Sequence, residues 1–462
     1  MVLEALRPIT SALPEVKQPL SAVPLKEKLM WTAGALLIFY IMGQVYPLGA
    51  NPISIAGFER IEILLGSRTG TLITAGIGPI VLASIFLQLA VGAKIINLDL
   101  SKPENKSLFT GVQKLLAIIL AFFEGAIYST QIAPLAVTPF TTYLGVVLQL
   151  ALGSIVLIYL DEVVQRYGIG SGISLFIAAG VAQQIFVGAF SLAFEGGAPA
   201  GLIPQAMFLL ARGDVANALW TLVPIVFTVL VFLLVVYVEG MKIELPLAFG
   251  KARGLGARYP IKFMYVSNIP VILAAAVLLN VQLFGMFLSN SGFPILGHYQ
   301  SGRPIDGFAY YTTPLPSPLL LPGDAKYLTY LQLISTPNEL LHILVYAVSL
   351  IILCVIFGWF WIESTGMGAK EVATQLTKVG LTIPGFRQDP RVLESVLQRY
   401  IPVITVLGSI FVGALAAFAD ITGALGTGTG ILLTVGILYK FYEDLAQQQV
   451  FELYPALKKL VK

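Results

Sequence analysis

Reactive side chains are scarce in this sequence. Its single cysteine, Cys354, has no partner for an intrachain disulfide, and its two histidines, His298 and His342, are too few and too isolated for a His/Cys metal site. Redox and zinc chemistry are not expected, and neither cofactor nor metal is implied. No Ser, His and Asp set and no pair of mid-span aspartates points to an intramembrane protease. The glycine run from Gly426 to Gly430 lacks the lysine of a nucleotide-binding loop, and no GxxxxGK[ST] motif occurs elsewhere. What recurs instead is aliphatic. Ile77 and Val81, and Ile173 and Ile177, are spaced i, i+4, so each pair projects from one helix face; Ile272 and Leu433 sit in comparable places later in the chain. If those faces converge they make a constriction that holds back water and ions by dewetting and offers a passing chain no hydrogen-bonding partner. Ordinary helix packing uses the same residues at the same spacing, and periodicity does not separate the two.

The elements that must carry these residues follow from composition. Of 462 residues 57% are hydrophobic and 11% charged, with a mean hydropathy of +0.85. Soluble proteins carry about 25% charged residues, so this is a membrane protein. A helix needs roughly 20 apolar residues to cross, and such runs recur at 29–48, 70–92, 111–131, 140–160, 171–190, 217–240, 261–288, 339–363, 401–420 and 428–448. The first 28 residues contain no signal peptide and are spaced by prolines; a short amphipathic segment followed by extended chain is expected along the cytosolic face. With that start, only Arg60, Arg68, Arg212, Arg303 and Lys326 of the 28 lysines and arginines fall on the outer side, as the positive-inside rule requires, and both termini are cytosolic.

The expected fold is therefore an all-α membrane protein of ten transmembrane helices in two inverted, pseudo-symmetric five-helix halves. The cytosolic N-terminal segment covers 1–28 and the first half 29–190. An external hinge at 191–216 leads into the second half at 217–448, with cytosolic loops 241–260 and 364–400, and a cytosolic tail covers 449–462.

The stretch from Asn51 to Leu65 (NPISIAGFERIEILL) is too short to cross a bilayer and ends at Gly66. Either it lies at the interface as a surface helix, or it re-enters from outside as a movable stopper shielded by protein or water. The next span carries Gly70, Gly76, Gly78 and Pro79 in its first half. Gly168, Gly170 and Gly172 open another span, Gly423, Gly426, Gly428 and Gly430 the last, and Pro270 interrupts the seventh. Thinned and interrupted helices need protein or water beside them, although close helix packing also explains glycine. Glu124, an acid inside an apolar run, is a functional candidate that a satisfied structural carboxyl would explain equally.

Several long segments resemble one family. RTGTLITAGIGPIV, YLDEVVQRYGIGSGISLFIAAG, RYPIKFMYVSNIPVILAAA, the GHY of Gly297–Tyr299 and GALGTGTGILLTVGILY resemble the SecY family, the central subunit of the protein translocation channel. The likeness runs from KEKLMW at Lys26 to YPALKKL near the end and has an archaeal flavour. It implies a clamshell of two halves hinged between the fifth and sixth spans. It also implies a pore ring of Ile77, Val81, Ile173, Ile177, Ile272 and Leu433, and a plug over 51–66 containing Asn51, Pro52, Ile53, Ile55, Phe58, Ile61, Leu64 and Leu65. A lateral gate is implied at the seam of the second and third spans with the seventh and eighth, where Thr74, Glu124 and Asn268 match polar positions. Loops 241–260 and 364–400 resemble ribosome-docking loops, with Arg387 joined by Lys251, Arg253, Arg258, Arg391 and Arg399; positive-inside topology alone would also place these charges. Ribosomal RNA, a phosphate polyanion, would bind such loops in a salt-dependent way. Glu244 stands where relatives often carry a denser basic cluster, which implies a weaker contact.

The partners implied are two small single-span subunits of SecE and β type forming a heterotrimer, the ribosome, nascent secretory and membrane chains, and membrane lipids. The expected function is a passive channel of the cell membrane. Unfolded secretory chains would thread the aliphatic ring once the plug moves aside, and hydrophobic segments would leave sideways into lipid. The rival is a secondary solute transporter, which shares inverted halves and broken helices but needs coupling charges near the midplane, where Glu124 is almost alone.

Overall fold

The computed structural model describes residues 7–453 apart from 20, 22, 51–67, 69, 93–94, 97, 99–102, 134–137, 196–197, 250–255, 267, 301–302, 317, 319–325 and 384–388. The first half holds α1 (Arg7–Ala12), α2 (Leu25–Met42), α3 (Gly78–Gly92), α4 (Pro103–Ile132), α5 (Phe140–Tyr167) and α6 (Gly172–Phe190). Strands β1 (Phe194–Glu195) and β2 (Ala198–Pro199) lead to α7 (Leu202–Ala211) and α8 (Val215–Glu239). Next come β3 (Lys242–Phe249), β4 (Gly256–Lys262), α9 (Ile269–Asn290), β5 (Tyr299–Gln300), β6 (Arg303–Pro304), α10 (Gly307–Thr312) and α11 (Lys326–Ile334). The chain continues through α12 (Pro337–Thr365), α13 (Ala369–Lys378), β7 (Leu381–Thr382), α14 (Pro390–Ile421) and α15 (Gly428–Leu453).

Among the described residues, seven helices are long and apolar enough to cross a membrane, namely α4, α5, α6, α8, α9, α12 and α14. The other three expected spans correspond to α2, α15 and the short α3 of 15 residues. Their outer faces are apolar. Leu144, Leu148, Leu152 and Val156 of α5, and Leu344, Val348, Ile352 and Ile356 of α12, recur every fourth residue and are exposed. In lipid such stripes meet a solvent of their own kind, so no polar face is needed.

The helix pairings repeat between halves. In the first, α2 packs on α5 and α6, α3 on α4, α4 on α5, and α5 on α6; in the second, α8 packs on α14 and α15, α9 on α12, α12 on α14, and α14 on α15. Matching α2 through α6 in order with α8, α9, α12, α14 and α15 carries the first set of pairings onto the second. A buried aspartate marks the same relation. Asp161 of α5 accepts from the Ile173 amide at 3.0 Å, capping α6, and Asp420 of α14 accepts from the Gly428 amide at 2.9 Å, capping α15. Both acids satisfy amides that a helix start leaves unpaired. The halves meet where α3 packs on α12 and α6 on α15.

Three segments outside the spans have structure that serves the helices. The run 241–260 is a β-hairpin, β3 against β4 with β7 beside it. Leu245 and Leu247 alternate inward onto Val372, Ala373, Leu393 and Leu397, forming a small core under the helices. In the long outer stretch 289–338, the fully buried Tyr330 donates to the Ile421 carbonyl at 2.6 Å, and Tyr327 to that of Thr422 at 3.3 Å. The ring of Pro318 fills the space beside Gly423, whose φ of +70° suits glycine. This stretch therefore grips the corner between α14 and α15. At the N-terminus, the extended segment after α1 is held by the ammonium of Lys114, which donates to the Pro14 carbonyl and the Glu162 carboxylate, both at 2.6 Å.

Candidate pore constriction and gate

The six aliphatic residues come from four separate helix starts. Residues 70–77 do not extend α3 as the sequence predicts. They make successive tight turns, with amides of Thr74, Gly76 and Gly78 bonding three residues back, and Gly76 takes a φ of +52°. The helix begins only where the Ile77 carbonyl accepts from the amides of Ile80 and Val81, both at 3.1 Å. Ile77 therefore ends the turns and Val81 sits one turn into α3. Ile173 and Ile177 occupy the first turns of α6, Ile272 the first turn of α9, and Leu433 the second turn of α15.

All six lie in one apolar cluster. Ile77, Ile177 and Leu433 are 0%, 3% and 2% exposed, and the half-buried Val81, Ile173 and Ile272 pack against them. Both halves contribute to it, so it lies on their interface. Gly426, with φ +84°, lets the start of α15 approach α6, since a methyl there would meet Ile185 at 2.8 Å. The arrangement offers shape and hydrophobicity and no acid, base or nucleophile. Among the described residues no group of His, Cys, Asp and Glu is placed to hold a metal ion.

The three expected gate residues divide. Thr74 is buried, with its hydroxyl donated to the Thr71 carbonyl of its own turn at 2.5 Å. Glu124 of α4 is buried, and its Oε1 has no partner among the described residues. Ala75, beside Thr74, and Tyr128, one turn past Glu124, share a cluster with Leu279 and Met286 of α9, so these two polar residues flank the seam between halves. Asn268 does not. Its amide donates to the Leu432 carbonyl of α15 at 2.8 Å, inside the second half, because Gly436 opens a slot for it there. A further polar residue of α9 that the sequence reading does not single out is Asn280, which follows Leu279 and donates to the Ala276 carbonyl of its own helix at 2.7 Å. An asparagine amid the aliphatic run of α9 was the available signal.

The plug residues Asn51, Pro52, Ile53, Ile55, Phe58, Ile61, Leu64 and Leu65 lie outside the described residues, as do Lys251, Arg253 and Arg387. Of the remaining basic residues, Arg258 projects from β4 and pairs with Glu244 of β3 at 2.8 Å, while Lys242 reaches the other carboxylate oxygen at 3.2 Å. The Arg258 hydrogen bond, with help from Lys242, holds the Glu244 carboxyl below its ordinary range. Arg391 and Arg399 belong to the first turns of α14 rather than to a loop, because Pro390 starts that helix with Asp389 capping the Arg391 amide at 2.9 Å. With Glu394, Ser395 and Gln398 they line a shallow cleft.

Known proteins match this chain over nearly its whole length. The SecY family model matches residues 71–442. The protein translocase subunit SecY of Methanocaldococcus jannaschii is 48% identical over 461 residues, covering 99% of this chain and 100% of that protein. A solved structure described as that of a protein conducting channel superposes with a TM-score of 0.82 at 46% identity, covering 98% of this chain and 99% of the other. Sec61 in the canine ribosome-channel complex from the endoplasmic reticulum gives 0.80 at 46% identity with the same coverage. Paired five-helix sets with an aliphatic cluster at their interface, together with these likenesses, show that the chain is a multi-pass membrane protein that belongs to the SecY family.

Proposed function

We propose that this chain is the central, non-enzymatic subunit of a protein-conducting channel, through which unfolded secretory polypeptides cross the membrane and from which hydrophobic segments pass into lipid. The observation that carries the reading is that Ile77, Val81, Ile173, Ile177, Ile272 and Leu433, which come from four helix starts in both halves, fall within one apolar cluster. Aliphatic walls exclude ions by dewetting when closed. They also form no directional bond with whatever sequence passes when open, so a gate of this kind suits a substrate of any composition. Energy comes from a partner.

The rest of the reading extends the family likeness. The segment 51–66 acts as the plug, and the seam of α3 and α4 with α9 and α12, flanked by Thr74 and Glu124, acts as the lateral gate. The hinge is 191–216 between halves 29–190 and 217–448, and both termini are cytosolic. Single-span subunits of SecE and β type complete a heterotrimer. The β3–β4 hairpin and the start of α14 face the ribosome, with Lys251, Arg253, Arg258, Arg387, Arg391 and Arg399 toward ribosomal RNA; the similarity to a channel from a ribosome complex supports this. The test is ion conductance and signal-sequence selectivity in reconstituted membranes. Replacing Ile77, Ile177 and Ile272 with serine should raise leakage and admit precursors with defective signals, whereas unchanged conductance would reduce the cluster to packing.

A further inference from the structure

Two of the six ring residues, Ile272 and Leu433, come from α9 and α15, and apolar contact does not fix how these helices stand to each other. Packing of aliphatic surfaces is non-directional, so one helix can slide or turn on the other at little cost. In lipid the surroundings are as apolar as the contact, and a defined register needs a directional bond.

Asn268 supplies one. It sits at the N-cap of α9, is 5% exposed, and bonds in two directions. Its main-chain carbonyl accepts from the amide of Ile272 at 3.2 Å, the first helical bond of α9. Its side-chain amide donates to the Leu432 carbonyl at 2.8 Å, on the residue before Leu433. One residue thus holds the backbone of both ring positions. The bond needs the bare face of α15 at Gly436, where a Cβ would lie 2.1 Å from the asparagine Nδ2. Two turns further along, Lys262 at the foot of β4 donates to Glu443 of α15 at 2.8 Å and 3.0 Å, so the same helix is also tied to the hairpin.

We infer that Asn268 is a positioning residue that pins the register of α9 against α15 and so sets Ile272 and Leu433 opposite each other in the constriction. This rests on the pore reading of those two residues. The asparagine is not a gate residue at the seam. It acts within the second half and lets α9 and α15 move as one body when the halves part.

The test uses the full chain in its assembled complex, with Cys354 replaced by alanine and cysteines at positions 272 and 433. The pair is probed with bis-maleimides of graded length in the closed state, beside ion leakage of channels that retain Ile272 and Leu433. Asn268→Ala should lower the rate with the best-fitting reagent by about fivefold, the population shift that one neutral hydrogen bond sustains, and spread reaction over other lengths. Asn268→Leu, which keeps much of the shape and loses the donor, should behave alike. Gly436→Ala, which displaces the amide with one methyl, gives the same comparison should Asn268→Ala fail to assemble. A length profile unchanged in both Asn268→Leu and Gly436→Ala overturns the inference, whatever the pore does. A changed profile with unchanged leakage leaves the pin standing and removes the pore reading of these residues.

Discussion

Ile177→Ala is the perturbation from which most can be learned. The residue is 3% exposed, sits within α6 where alanine is an ideal helix former, and packs in the interface cluster. Truncating a buried isoleucine to alanine costs about 2–5 kcal/mol, through lost contacts and the cavity left behind. A channel adds a distinction that a soluble core lacks: on the proposed mechanism the contacts across the halves part in the open state, so the loss is expected to fall mainly on the closed state. At 1.4 kcal/mol per tenfold, even the lower bound of about 2 kcal/mol shifts the closed-to-open ratio by roughly 30-fold. A channel open about 0.1% of the time would then be open about 3% of the time. Leu350→Ala is the control. It is 1% exposed and lies among residues of α8, α9, α12, α14 and α15 in a core that Ile85 of α3 also joins, and it is not one of the six ring residues, so its cost is comparable but is expected to be borne largely by both states. Planar-bilayer recordings at matched protein density measure open probability directly. The reasoning fails if Ile177→Ala leaks no more than Leu350→Ala.

Three further outcomes are expected. Glu162→Gln should loosen the N-terminal segment by removing the charge that pairs with Lys114, 7% exposed, and accepts from the Val16 amide at 3.2 Å; the partly exposed carboxylate keeps the cost below the roughly 3–5 kcal/mol of breaking a fully buried pair. Faster protease cleavage around residues 14–17, faster still in the double variant Lys114→Met/Glu162→Gln, which also loses the bond to Pro14, would show it, and equal cleavage in all three would refute it. Tyr330→Phe should cost about 1 kcal/mol by removing the bond to Ile421, read as faster hydrogen exchange at the corner of α14 and α15. Glu244→Gln should strengthen ribosome binding and steepen its salt dependence by about one unit of slope, because Arg258 is then free for phosphate. The Glu244 carboxyl is held low in the folded hairpin, so its pairing is present above the unfolded value and is lost as pH falls through the folded one. Wild-type binding should accordingly approach that of the glutamine variant under acid conditions, and a salt slope identical in both proteins at neutral pH would exclude the effect.

Legibility varied with the physics involved. Helices such as α5 and α8 could be read from composition because lipid leaves a backbone no other partner. The start of α3 could not: Gly76 and Pro79 announced a break, but only long-range packing decides that the turns run to Ile77. The hairpin 242–262 carried a period-2 signal in Leu245 and Leu247 that the charges around it concealed. Asp161 and Asp420 looked like ordinary polar residues at span ends, and their shared capping role shows only when α6 and α15 are seen to begin beside them. Asn268 was misplaced for a similar reason, since nothing local says that Gly436, far along the chain, makes room for its amide. Ile77, Ile177 and Leu433 can be picked out by type and position, yet their meeting across the two halves is a matter of tertiary packing, and Ile80, Leu157 and Ile158 share the cluster with them.

The central claim is that a translocating polypeptide passes through this cluster, and site-specific photocrosslinking tests it most directly. Photoreactive residues are placed at positions 77, 177, 272 and 433, with position 148 on the exposed face of α5 as reference, and a secretory precursor is halted on the ribosome midway through transfer. One short stretch of the precursor should crosslink to all four cluster positions and not to 148. Crosslinks absent from the cluster, or confined to one half of the molecule while 148 reacts equally, would contradict it.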